Sequence, residues 1–513
     1  MERKMAYELG IFGDGQFSAE FVEWLVDERW ADIQNHFGKF WEYYHNRTEP
    51  LTGASLEGAA GESARPYVQA QEYGLPSRIT GVAHTESSGV FGGKVVGDIR
   101  RKEVVIENDI TWRINALVDF LFGKEIQIVS RASDDGKRAE IEQILKALYA
   151  ANGAIGFFQD MAVLGSVYGF VDCIVRAGEQ VLNYTTHGRD GHATSMPLDD
   201  VLEAVSGISL ELIEAGRALP VLDENDYKKI NYYVQHFYQQ KNQVAAKGSF
   251  LGRLFGGSTG LERETIAVTE IIGPSAWQRY ENRQLVAEGS LPWGFLPVVH
   301  IQNVAQPYYY EGLSDVEQLI GLQDELNTRM SDRANRITFQ AFKMYLAKGI
   351  EEVNEKPVSP GRMWYTSNPD AHIETFGGDT SAPSEDLHIA EIREALDKTS
   401  GVTPVVAGVL KSKLGNLTSA VALRVVMSGT LSKTERKRFT YGEGLKRISQ
   451  MVLQMLDTAG LYKTTKRERE LEILFPCPLP ENMMEKLQEA QIKKELGVSQ
   501  EQVLRELGYD AAI

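Results

Sequence analysis

Cysteine is scarce in this chain. It has two, Cys173 and Cys477, roughly three hundred residues apart and in no CxxC pair. That excludes a disulfide framework and a cysteine-based zinc module, and it fits two reduced, buried thiols in a chain folded in a reducing cytoplasm. Long apolar runs are also missing. The longest, "MAVLGSVYGFVDCIV", is interrupted by Asp172 and is too short to cross a bilayer. The opening "MERKMAYELGIFGDG" lacks the apolar centre of a secretory signal. The expectation is a chain made and kept in the cytoplasm, or in something assembled there, with no membrane partner.

Signatures of catalysis are absent. "GVFGGKVV" places Lys94 after Gly93, but the spacing of a phosphate loop fails and Val95 stands where Ser or Thr is needed. No HExxH, GxSxG or protein-kinase set occurs. His187 and His192 in "THGRDGHAT" form the closest histidine pair. No further ligand lies beside them, so they read as polar loop residues and not as a metal site. The pairs Asp134-Asp135 and Asp199-Asp200 sit at turns or helix starts, where carboxylates cap and solvate. Neither a cofactor nor a metal is implied. The balance favours a structural or binding protein over an enzyme, although a metal-dependent nuclease assembled from dispersed carboxylates leaves no linear motif.

A basic excess is lacking as well. Lys plus Arg total 54 against 71 Asp plus Glu, a net charge of −17. A tight sequence-independent nucleic-acid binder is normally basic. A channel that lets DNA slide without gripping it need not be. The one dense basic run, "SKTERKRF", carries Lys433, Arg436, Lys437 and Arg438 and reads as a basic face of a helix, solvated or paired across subunits.

Structure-forming pattern is plentiful. The 513 residues exceed a single core and predict several domains, and 43% hydrophobic with 24% charged residues is ordinary for a folded chain. Apolar residues recur at helical spacing over 17–46, and 100–122 reads as a second helix stopped by Gly123. "KEIQIVS" alternates as a strand, 137–171 carries more helix, and 180–300 reads as β-rich through "INYYVQHFYQ", "RETIAVTEII" and "LPVVHIQN". The stretches 51–66 and 247–260 read as loops.

The second half has a distinctive order. Residues 312–346 form a long helical stripe through Val316, Leu319, Leu322, Leu326, Met330, Ile337, Phe342 and Tyr345. A short module over 349–384 follows, with strands at "GRMWYTSN" and "AHIETFGG", and then a helix over 385–400 with Ser384 as N-cap. A loop of small residues, "KSKLGNLTSA", precedes a helix from Thr418 or Ser419 to about Ala459, with bends expected at Gly429, Gly442 and Gly444. "LEILFPCPLP" reads as a strand. Two short helices close the chain, the second capped by Ser499 with Gln502.

This order, with "YYEGLSDVEQLIGLQDELNTRMSD", "DFLFGKEIQIVS", "SEDLHIAEIREALDKTSGVTP" and "LTSAVALR", resembles the portal proteins of tailed bacteriophages. The resemblance implies an α+β portal-type fold: wing (1–310), two-helix stem (311–348 and 385–401) around a small α/β clip (349–384), tunnel loop (402–417), long bent wing helix and strand (418–478), and helical crown (479–513). It also implies a twelve-fold ring at the unique capsid vertex of the virion, assembled in the host cytoplasm. Such a ring carries double-stranded DNA, docks the terminase motor and then the head–tail adaptor, and meets capsid and scaffold proteins. Lys411, Lys413 and Asn416 would face DNA from the tunnel loop, and Arg362 and Trp364 would lie in the clip. The alternatives are the dispersed-carboxylate nuclease and another oligomeric head–tail connector.

Overall fold

The computed structural model describes residues 7–13, 17–50, 67–80, 103–187, 196–244, 261–341, 344–348, 368–376, 382–408, 424–479 and 483–506. The chain divides into two compact units. One comprises Met1–Gly38, Ile114–Ser314 and Ala420–Ile513, and the other comprises Lys39–Arg113 and Asp315–Ser419.

The first unit is built on two antiparallel sheets. In the larger, five strands run in the order Gln284–Ser290, Ala276–Glu281, Leu261–Ile272, Ile230–Val244, Ala218–Leu222. Two of the three β signals of the sequence lie in this sheet and the third forms Val298–Gln302 in the smaller one, and the short helices Glu179–His187 and Leu198–Ser206 interrupt the β-rich region. One face of the large sheet presents Leu219, Tyr232, Val234, Ile271 and Tyr280 to Phe12, Phe17, Val22 and Leu25 from the start of the chain. Phe17 stacks on Tyr232 with ring centres 4.2 Å apart. Clustered aromatic burial of this kind is the main stabilising term, at about 25 cal/mol per Å² of apolar surface.

The smaller sheet has the order Val298–Gln302, Phe170–Arg176, Ser209–Ile213. Its central strand is buried along almost its whole length, which explains why "FVDCIVR" reads as a continuous apolar run and not an alternating one. Gly169 joins this strand to the helix Ile155–Tyr168 at φ +92°, and a Cβ there would lie 2.3 Å from the Gly312 carbonyl oxygen. Only glycine meets both conditions.

The helix Ser428–Ala459 is continuous over 32 residues. Thr434, Lys437, Tyr441, Leu445, Ile448, Val452 and Leu456 form its buried stripe at steps of three and four. Gly442 and Gly444 do not interrupt the helix. They allow close packing: a Cβ at 444 would fall 2.5 Å from Ile301, and one at 442 would fall 3.3 Å from Phe475. The predicted starts at Thr418 and Ser419 lie outside the described residues. Strand Leu471–Leu474 pairs with Gln127–Ser130, as the two strand signals require. At the C-terminal end, Ser499 Oγ accepts from Gln502 N–H at 3.3 Å and caps the helix Gln500–Glu506.

In the second unit the helix Ile320–Ala341 follows a 3-10 turn, Glu317–Leu319. It is shorter than the expected 312–346, and Tyr345 is not on its stripe. Met344–Lys348 is a strand paired antiparallel with His372–Phe376, so hairpin pairing takes over where the helical pattern continued on paper. The return helix is Pro383–Ser400, with Pro383 in its first turn and Ala382 before it. Ser384 is therefore inside the helix and is not the N-cap. Proline at the first helical position loses no intrahelical bond and fixes the entry.

The expected helix over 100–122 is also revised. It begins at Asp109 and ends at Phe122. Asn108 Oδ1 accepts from Thr111 N–H at 3.3 Å, an N-cap arrangement, and 103–108 is not helical.

Candidate functional site

Residues 103–109 lie along the helix Ile320–Ala341 in a regular way. Asn335 Oδ1 accepts from Glu103 N–H at 3.0 Å, and Ser331 Oγ accepts from Val105 N–H at 2.9 Å. Asn327 Oδ1 and Gln323 Oε1 accept from Glu107 and Asp109 N–H, each at 3.0 Å. Three carbonyls are bonded in return: Asn335 Nδ2 donates to Glu103 O, Ser331 Oγ to Val105 O and Gln323 Nε2 to Glu107 O. Four helical residues advance about 6 Å and two extended residues about 6.6 Å. A polar residue at every fourth helical position therefore matches every second residue of an extended chain. The polar side chains take up backbone groups that would otherwise be orphaned, and this is why 103–108 does not join the helix behind it.

The return helix ends in a second polar hub. Arg113, 2% exposed, donates to Asp109 Oδ2 at 3.0 Å, Asp397 Oδ1 at 2.8 Å, Ser400 Oγ at 3.0 Å and the Val402 carbonyl at 2.6 Å. A buried guanidinium at a helix C-terminus satisfies carbonyl groups and meets the negative end of the dipole. Gly401 at φ +69° terminates the helix, and the turn Pro404–Ala407 ends at Gly408 at φ +77°. The exit of the return helix toward 409–423 is thus held at two glycines and one arginine.

Polar pairs join the entry and return helices. Arg336 forms an ion pair with Glu385 and Arg333 one with Asp386 at 3.1 Å, and His388 Nε2 lies 3.3 Å from Glu325 Oε1. Burial acts to raise the Glu325 carboxyl, but its hydrogen bonds to Arg329 and His388 hold it below its ordinary value.

In the first unit the polar centre is Asp172, fully buried on the central strand of the small sheet. Tyr233 OH donates to its Oδ2 at 2.8 Å, and Tyr310 OH lies 2.9 Å from both carboxylate oxygens. His300 places Nδ1 2.7 Å from Asp172 and Nε2 2.8 Å from the Tyr310 carbonyl. Burial, reinforced by the carboxylate, pushes both tyrosine hydroxyls far above their usual range. The cluster fixes the loop 305–313 to the small sheet.

The basic run does not form one face. Arg436 is exposed, whereas Lys437 is 1% exposed and donates to Ser166 Oγ at 2.8 Å. Arg438 is turned inward onto the Phe120 and Pro476 carbonyls. Lys433 is half-buried. The expectation of a single basic face is corrected: two of the four cations serve the packing of the first unit. Lys437 falls on the helix's buried stripe, and Arg438 caps carbonyls. Lys411, Lys413, Asn416, Arg362 and Trp364 lie outside the described residues, as do His192 and the strand "GRMWYTS".

Asp134 Oδ1 accepts from Lys137 N–H at 2.7 Å as an N-cap, and Asp199 and Asp200 occupy a first helical turn. Cys173 is buried, Cys477 is half-buried, and both thiols are free. Among the described residues no group of three or more His, Cys, Asp or Glu is arranged to hold a metal, and no helix is long and apolar enough to cross a membrane.

Sequence reading missed the Asp172 cluster, Arg113 and the polar ladder. Only the ladder left a linear trace: Gln323, Asn327, Ser331 and Asn335 recur every four residues beside the apolar stripe.

Two solved structures are similar in part. One is from the neck of an empty GTA particle, 12% identical, with a TM-score of 0.42, covering 78% of this chain and 90% of that one. The other is from the virion of a native gene transfer agent particle, 12% identical, with a TM-score of 0.39, covering 78% and 89%. No curated protein matches the chain. A family model described as phage portal protein, SPP1 Gp6-like, matches residues 114–508, most of the 513. The chain belongs to that family of phage portal proteins, the head-to-tail connectors of the capsid.

Proposed function

We propose that copies of this chain form a twelve-fold ring at one vertex of the virion, and that double-stranded DNA passes through its centre during packaging and ejection. The family match over 114–508 carries this reading. The helix–hairpin–helix order of Ile320–Ala341, Met344–Lys348 with His372–Phe376, and Pro383–Ser400 supports it. In this assignment the two helices are the stem and the hairpin belongs to the clip, where Arg362 and Trp364 meet the terminase and later the adaptor. Residues 1–310 with 418–478 are the wing, and the helices Met483–Glu495 and Gln500–Glu506 are the crown. Capsid and scaffold proteins surround the ring, which is assembled in the host cytoplasm. No chemical step is assigned to the chain.

The charge balance suits a conduit. A net charge of −17 repels DNA and limits sticking, while a few lysines per subunit become circles of positive charge in a ring. Lys411 and Lys413, with Asn416, make sequence-independent phosphate contacts that a sliding duplex can exchange. Replacing both lysines with glutamine is expected to lower DNA packaging several-fold while rings still form, measured as packaged DNA per assembled particle. Normal packaging by that variant would overturn the assignment.

A further inference from the structure

The loop after strand Val298–Gln302 displays two tyrosines to solvent. Tyr308 is 83% exposed and Tyr309 57%. Tyr308 also has φ +71°, a conformation that a bulky aromatic residue rarely adopts. Such strain persists where the surroundings over-determine it, and it collects at functional positions. The surroundings do so here. Gln302 Nε2 donates to the Tyr309 and Tyr310 carbonyls at 3.0 Å each, His300 holds the Tyr310 carbonyl, and Tyr310 is locked on Asp172. Exposed aromatic residues on a rigid support lose little entropy on binding and are favoured as anchors of protein interfaces.

The same unit contains an open groove of about 520 Å³ between the long helix and the strand Leu471–Leu474, within the range of about 300–1,000 Å³ for sites that enclose a compact partner group. Its apolar lining includes Phe439, 71% exposed, and Leu474, 42% exposed, with the Phe475 ring beside them. Gly442 leaves that ring accessible, since a Cβ at 442 would lie 3.3 Å from it. Its polar lining is Lys446 paired with Glu443 at 3.6 Å, Arg438 paired with Glu435 at 2.9 Å, and Glu472. This lining suits a tyrosine: aromatic rings for stacking, with charged groups at the rim within reach of its hydroxyl.

A closed ring requires two different surfaces on each copy, because its contacts are head-to-tail. We infer that the Tyr308–Tyr309 loop of one copy seats in the Phe439–Phe475 groove of the next. The inference rests on the ring reading above and adds the pair of surfaces that closes it.

The test uses the full chain with Cys477→Ser, which leaves only the buried Cys173. Tyr308→Cys and Phe439→Cys are introduced singly and together. Each preparation is treated with a short bifunctional maleimide and run on a denaturing gel, with microscopy of the same sample. The double variant is expected to give a ladder of linked chains, and each single variant to stay one chain long. Rings without a ladder, or a ladder from Tyr308→Cys alone, overturn the pairing. Tyr308→Ala with Tyr309→Ala is expected to lower the ring population roughly tenfold or more at an unchanged melting temperature, and undiminished rings contradict the proposal. If the unsubstituted chain forms no ring under any condition in which particles assemble, the ring reading fails, and the pairing with it.

Discussion

At the scale of single residues, burial decides chemistry more than residue type does. Cys173 is enclosed on the central strand, and burial, with Asp172 beside it, raises its thiol far above the ordinary value, so no thiolate forms near neutrality. Cys477 is half-buried. An aromatic disulfide reagent is therefore expected to titrate one thiol in the native chain and two in denaturant, and two fast thiols in the native chain would contradict this placement. His236 is a second case. It sits against Thr269 at 2.8 Å and under Trp30, and burial, with Arg283 nearby, lowers it from 6.5 to about 4. Between those values the unfolded chain binds the proton and the folded chain does not. The contribution is complete above pH 6.5 and is lost as the pH falls toward about 4, with about 2 kcal/mol gone by pH 5. Denaturant unfolding at pH 7.5 and pH 5 should show that loss in the native chain and little of it in His236→Gln. Equal losses would assign acid sensitivity elsewhere. The placement of Lys437 was partly legible in the sequence, because it shares a helical stripe with Thr434 and Tyr441. The Asp172 cluster was not, because its partners come from positions 233, 300 and 310, and only the fold brings them together.

At the scale of elements, periodicity identified most helices and strands, and the misses share a cause. Residues 103–108 and 344–348 have acceptable helical composition, yet side chains more than two hundred residues away for the first, and the strand His372–Phe376 for the second, supply the backbone partners that a helix would otherwise provide. Local pattern cannot register partners outside its own window. The polar ladder makes this testable. Ser331→Ala leaves Val105 N–H without its acceptor, a cost of about 1 kcal/mol for a part-buried donor. Amide hydrogen exchange should speed up at Val105 and at its bonded neighbours Glu103 and Glu107, while the sheets of the first unit keep their protection. Unchanged exchange across 103–107 would show that the ladder does not hold the segment.

At the scale of the whole molecule, the family was legible from element order more than from any one motif, and the match over 114–508 agrees with that order. The candidate site was legible only in part. The loop lysines stand out in the sequence as charges among small residues, whereas Arg113, which holds the exit of the return helix, sits nearly three hundred residues before the aspartate it binds. The central claim is that copies of this chain surround a channel. The most direct test is the particle mass of the purified chain with electron micrographs of the same fraction. The account predicts rings of about twelve copies with a central hole, as a closed head-to-tail assembly requires. A compact monomer that also cuts DNA in a metal-dependent way would contradict it.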